Sequence, residues 1–170
     1  MRSSSPRPRG FAWRSQAAGG VGNKRFVILA SQFHEPLSRA LIDGAVTTLR
    51  RHGAASGAVR LLWVPGAFEL PVVAARLLRS RPRPHAVIAL GALIKGDTPQ
   101  YAVLANAVAA GLADVSVRTG IPVTFGVVVA ETLAQARARA GGSKGNRGAE
   151  AALAALGVLR LLDSLRVRGR

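Results

Sequence analysis

Residues 95–100, Lys-Gly-Asp-Thr-Pro-Gln, put a cation, a glycine, a hydroxyl and an amide at the end of an apolar run. Gly96 lets backbone N–H groups approach an anion closely, and a helix starting just beyond favours negative charge. Thr98 adds a donor and Lys95 adds charge, whereas Asp97 opposes a phosphate unless it turns away to cap the helix. Gln100 can orient a water or a hydroxyl, but it cannot act as a general acid or base. As a phosphate motif the stretch is weak, matching neither the Walker-type nor the dinucleotide-type glycine pattern. Arg139 and the segment SKGNRG, residues 143–148, offer further cations, although in isolation that segment reads as a solvated linker.

Three other residues carry chemistry. Phe33 either covers the core or stacks on a planar heterocycle. His34 either sits at the surface before a helix or serves as a proton carrier, since histidine as a type exchanges its proton near neutrality. Glu69, in PGAFELP, suits the start of a helix electrostatically and equally suits hydroxyl or ring N–H recognition.

These residues need a frame, and the apolar pattern supplies one. RFVILAS (residues 25–31), VRLLWV (59–64), HAVIALGALI (85–94) and IPVTFGVVVA (121–130) read as strands. Continuous apolar runs of this length suit strands buried on both faces. Between them, EPLSRALIDGAVTTLRRHG, FELPVVAARLLRS and PQYAVLANAVAAGLADVSVRTG read as helices, with Pro36 and Pro71 in first turns and Gly53 and Gly120 as stops. TLAQARARA predicts a short helix, GGSKGNRG a glycine-rich break and AEAALAALGVLRLLDSLRV a last helix. The alternation predicts an α/β fold, a three-layer α/β/α sandwich on a four-stranded parallel sheet. In such a sheet ligands bind beyond the carboxyl ends of the strands. That rule selects SQFHEP, PGAFELP, IKGDTPQ and VVAETLAQ, the segments that hold Phe33, His34, Glu69 and the 95–100 turn.

Composition narrows the function classes. The 170 residues suffice for one domain with a core, which we expect over residues 24–170, with residues 1–23 as a loose basic arm. Cysteine is absent and the three histidines show no metal-ligand spacing, so no metal site and no thiolate chemistry are expected. No apolar run approaches the roughly 18 residues of a membrane span, and no signal-type core follows the N-terminal arginines, so a cytoplasmic protein is expected. The formal net charge of +16 raises nucleic acid or other anionic cargo as a partner. The sequence favours a blander origin, arginine-rich coding bias with solvated tails, because no RNA-binding motif or aromatic stacking cluster accompanies the charge.

Four stretches in order, VPGAFELP (64–71), GALIKGDTPQY (91–101), PVTFGVVVAETLAQARARAG (122–141) and GNRGAEAA (145–152), resemble the 6,7-dimethyl-8-ribityllumazine synthase family over residues 24–166. The resemblance implies a flavodoxin-like topology. It also implies the condensation of 5-amino-6-(D-ribitylamino)uracil with 3,4-dihydroxy-2-butanone 4-phosphate in riboflavin synthesis, without a cofactor. By that resemblance Phe33 stacks on the pyrimidine; Ala67, Phe68 and Glu69 line the ribityl chain; and Ala92, Leu93 and Ile94 meet the uracil. Gly96, Asp97 and Thr98 form the phosphate loop with Arg139. Phe125 closes the pocket from a neighbouring subunit, with Lys144 or Arg147 adding positive charge. His34 stands beside the stacking position.

Two exchanges keep charge and change geometry, Lys95 for a usual arginine and Arg147 for a usual lysine. A third removes the expected proton carrier, because Gln100 stands where the family has histidine. Reduced turnover, a substitute such as His34, substrate phosphate or water, and loss of the catalytic role are the outcomes consistent with that exchange. The second functional reading is therefore a shell-forming or anionic-cargo-binding homologue with weak or lost synthase activity. Family assemblies are pentamers or sixty-subunit shells, and the short AGGSKGNRG connection resembles the shell-forming members. In those members the N-terminal arm adds a strand to a neighbour's sheet, a role open here to GFAWRSQAAGG (residues 10–20).

Overall fold

The structure, a computed structural model, describes residues 21–167, and the expected arm and its added strand fall almost wholly outside them. Val21 is buried in the core, and the Lys24 ammonium lies 2.8 Å from the Asp163 carboxylate.

The strands are β1 (Phe26–Ser31), β2 (Val59–Val64), β3 (Ala86–Ile94) and β4 (Val123–Ala130), all parallel in the order β2-β1-β3-β4. Their connections are α1 (Glu35–Arg51), α2 (Leu70–Arg79) and α3 (Gln100–Thr119). After β4 come α4 (Leu133–Arg139) and α5 (Arg147–Val167). The two-residue period of a strand sorts the core into two sides. Phe26, Ile28 and Ala30 of β1 join Ile88 and Leu90 of β3 beneath α1 and α5, packing on Leu41, Ala45, Leu49, Ala152 and Leu156. Val27 and Leu29 face the other way with Val87 and Ala89, against Leu70, Ala74 and Leu78 of α2 and Val108 and Leu112 of α3. This is the expected α/β/α sandwich, and its strand order is the flavodoxin-like one.

The α1–α5 contact depends on a missing side chain. A Cβ built on Gly148 would stand 2.0 Å from the Leu41 carbonyl oxygen, so only glycine allows this approach.

The glycine-rich segment is more ordered than a break. It forms an antiparallel hairpin, β5 (Ala140–Gly142) and β6 (Gly145–Asn146), with Gly141 and Gly145 at φ 104° and 84°. Strands this short leave no hydrophobic period to read, while the two left-handed glycines explain the composition. Helix α3 is twenty residues long with a mean hydropathy of 1.2 over its most apolar stretch, so among the described residues one helix has the length and composition to cross a bilayer, although Asn106, Asp114 and Arg118 interrupt its apolar run. Its valines and leucines account for most of that value, and Val108, Leu112 and Val115 pack it on the sheet.

Candidate functional site

The chain runs from β1 outward to β2, then crosses back past β1 to β3, so the loops after β1 and β3 part in opposite directions. A crevice opens at such a switch point. It holds a recess of about 370 Å³ lined by Phe33, His34, Gly66, Ala67, Phe68, Ala92, Leu93, Ile94, Gly96, Thr98, Gln100, Tyr101 and Leu104.

Backbone bonds build its walls. Gln32 N–H donates to the Val64 carbonyl at 2.8 Å and Phe33 N–H to the Pro65 carbonyl at 3.2 Å, tying the loop after β1 to the loop after β2. The Phe33 side chain is 68% exposed and meets the His34 ring edge-on, with centroids 4.8 Å apart. His34 has left-handed backbone, φ 60° and ψ 44°, and its carbonyl accepts from Leu37 N–H and Ser38 N–H to start α1. A 3-10 turn, Ala67–Glu69, follows β2. Glu69 Oε2 accepts from Gly66 N–H at 2.8 Å, so this carboxylate folds its own turn and does not line the recess. On the far wall, Lys95 N–H donates to the Ala130 carbonyl at 2.9 Å, anchoring the loop that carries Gly96 and Thr98. No side chain caps α3, so Asp97 does not take the capping role open to it, and Ala102 N–H donates to the Pro99 carbonyl at 3.0 Å.

The remaining predicted residues lie elsewhere on this chain. Phe125, Val127, Val128 and Val129 of β4, with Arg139 and Arg147, line a second recess of about 260 Å³, and no residue lines both. Arg147 Nη1 donates to Glu150 Oε2 at 2.8 Å, while Arg139 Nη1 lies 3.6 Å from Glu150 Oε1 and 3.4 Å from the Lys144 carbonyl. Lys144 sits exposed in the hairpin turn between β5 and β6. Asn146 locks that hairpin in place. Its Nδ2 donates to the Ala40 carbonyl at 2.8 Å, and its Oδ1 accepts from Gly148 N–H and Ala149 N–H at the start of α5.

Tyr101, Leu104, Glu150 and Asn146 were not singled out from the sequence. Tyr101 follows Gln100 directly, and Glu150 stands three residues after Arg147, a helical pairing distance. The bond from Asn146 to residue 40 left no local signal.

Residues 23–163 match the family model described as 6,7-dimethyl-8-ribityllumazine synthase. A protein of that name from Gemmatimonas aurantiaca is 49% identical over 140 residues, 82% of this chain and 85% of the relative. One from Desulfotalea psychrophila is 43% identical over 84% of this chain and 91% of its own length. One from Leuconostoc mesenteroides is 39% identical over 85% of this chain and 92% of its own length. With the match spanning both recesses and every segment that lines them, the chain belongs to the 6,7-dimethyl-8-ribityllumazine synthase family.

Proposed function

We propose that the chain condenses 5-amino-6-(D-ribitylamino)uracil with 3,4-dihydroxy-2-butanone 4-phosphate to 6,7-dimethyl-8-ribityllumazine, releasing phosphate and water. The observation that carries this reading is the family match over residues 23–163, which takes in both recesses.

The crevice recess is the pyrimidine side. Phe33 offers an exposed ring for stacking, and the end of β3 at Ala92, Leu93 and Ile94 offers backbone groups to the uracil. Ala67 and Phe68 line the ribityl chain, and Glu69 holds the turn that presents them through its bond from Gly66 N–H. Gly96 and Thr98 hold the phosphate against the first turn of α3. Asp97 stays solvent-exposed in that loop.

The cations complete the site from a second copy. Arg139 and Arg147 share their recess with Phe125 and are separate from Thr98 within one chain, so a neighbouring copy delivers all three together, with Lys144 at the rim. Uncovered apolar side chains support such packing: Phe68, Val103 and Val117 are 59%, 65% and 83% exposed. A homo-oligomer follows, a pentamer or the larger shell built from pentamers.

The chemistry then divides simply. The diamine is already nucleophilic, so the protein mainly holds two substrates in register. Fixed guanidinium groups and helix N–H groups stabilise the charge that grows on the departing phosphate. The test is an assay of purified protein with both substrates, following the product by absorbance and mass. We expect product well above the uncatalysed condensation, and a rate no better than that background overturns the reading.

A further inference from the structure

The condensation needs protons moved at the carbon that becomes an imine, and Gln100, at the first turn of α3, cannot move them. We propose that His34 is the proton carrier of this recess, an inference that rests on the condensation reading above. His34 lines the same recess as Gln100, Thr98 and Phe68, and it is the one imidazole there. Tyr101 carries the other ionisable proton in the lining, on a phenol.

The backbone explains why the ring is free for this task. His34 is the one non-glycine residue with positive φ among the described residues. Left-handed backbone is unfavourable for a non-glycine residue, so the surrounding turn must hold it there. Its carbonyl starts α1, yet its side chain makes no capping hydrogen bond. The ring instead leans edge-on against Phe33, the proposed stacking surface. A pyrimidine stacked on Phe33 would therefore lie beside a ring that touches the imidazole.

The charged groups around it are already engaged or point elsewhere. Glu35 pairs with Arg39 one turn along α1, and Glu69 is bound to Gly66 N–H. Lys95 and Asp97 lie in the loop after β3 and do not line the recess. In the assembled site Arg139 and Arg147 approach from the neighbouring copy, with Glu150 between them.

The proton cycle closes on itself. The amine adds to the ketone and forms a carbinolamine. The imidazolium gives its proton to the carbinolamine oxygen, the C–O bond breaks, water leaves and the nitrogen lone pair forms C=N. The neutral imidazole then takes a proton from the adjacent hydroxyl-bearing carbon. Those C–H electrons form the enamine, which expels phosphate from the next carbon, and the imidazolium is restored. Gln100 orients the departing water.

The decisive variant is His34→Asn. Asparagine tolerates left-handed backbone and carries no exchangeable charge, so the turn persists without the proton carrier. We expect kcat to fall by about 10²-fold with both KM values within about threefold. Added free imidazole should restore part of the rate, and so should Gln100→His in the same chain. A His34→Asn enzyme within about threefold of wild type, or a slowed one that free imidazole does not speed up, overturns the proposal, since a merely disturbed recess gains nothing from an added proton carrier. Wild-type protein that fails to condense the substrates overturns the functional reading itself, an outcome distinct from an active His34→Asn variant.

Discussion

Arg147 and Glu150, one helical turn apart at the start of α5, meet at 2.8 Å, and the same carboxylate reaches toward Arg139 with its other oxygen at 3.6 Å. One acid thus holds two cations at the edge of the β4 recess. Both pairs are about half exposed, so their contribution is at most about 1 kcal/mol each. Glu150→Gln removes charge and keeps an acceptor, whereas Glu150→Ala removes both. Loss of charge alone strengthens attraction for phosphate, and loss of the anchor weakens it. We therefore expect the alanine variant to bind the butanone phosphate about two- to fivefold more weakly than the glutamine variant, an effect of under about 1 kcal/mol. Steady-state KM values for each substrate, with inorganic phosphate inhibition alongside, measure the difference; identical values for the two variants remove the anchoring role.

The separation of Phe33 from Arg139 within one chain predicts complementation between copies. Phe33→Ala and Arg139→Ala should each lower activity strongly when assembled alone. Co-assembled in equal amounts, about one quarter of sites pair an intact crevice with an intact cation recess, on random mixing in a symmetric oligomer. Activity should recover to about that fraction. A mixture no better than its components would put both halves of the site on one chain.

Asn146 closes three hydrogen bonds that join the hairpin, α1 and α5. Asn146→Ala should cost about 1–2 kcal/mol, the loss of the cap at the start of α5 together with one side-chain hydrogen bond to α1. Gly44→Ala should also destabilise, because its Cβ would stand 2.3 Å from the Asn146 side chain. The double variant should lose less than the sum, since removing the amide makes room for the methyl. Denaturant unfolding at one fixed protein concentration measures all three; strict additivity would contradict the contact.

Ser31 is fully buried at the end of β1, and its hydroxyl has no hydrogen-bond partner among the described residues. Removing an unsatisfied buried hydroxyl relieves a desolvation cost instead of breaking a bond. Ser31→Ala should therefore leave stability within about 0.5 kcal/mol of wild type or raise it. Thermal and urea unfolding check this, and a loss of several times that amount means the hydroxyl is engaged.

Much of the architecture is local information. The run of six buried residues in β1 shows as an unbroken apolar stretch, and the positions Leu37, Leu41, Ala45 and Leu49 mark the buried face of α1. Together with the rule that ligands bind at strand carboxyl ends, those patterns located Phe33, His34, Ala67, Ile94 and Thr98 on one rim, because strand direction and alternation follow from the order of strands and helices. Where contacts cross long sequence separations, the pattern is silent. Residue spacing does not reveal that Asn146 bonds to the backbone of residue 40, or that Glu69 spends an oxygen on Gly66, or that Arg139 and Phe125 share a recess apart from Thr98. The left-handed turn at His34 is equally invisible, since it depends on how the loop after β1 is tied to the loop after β2. Periodicity records which face of an element is buried. Which distant side chains meet depends on how those faces pack, and packing is a property of the whole folded chain.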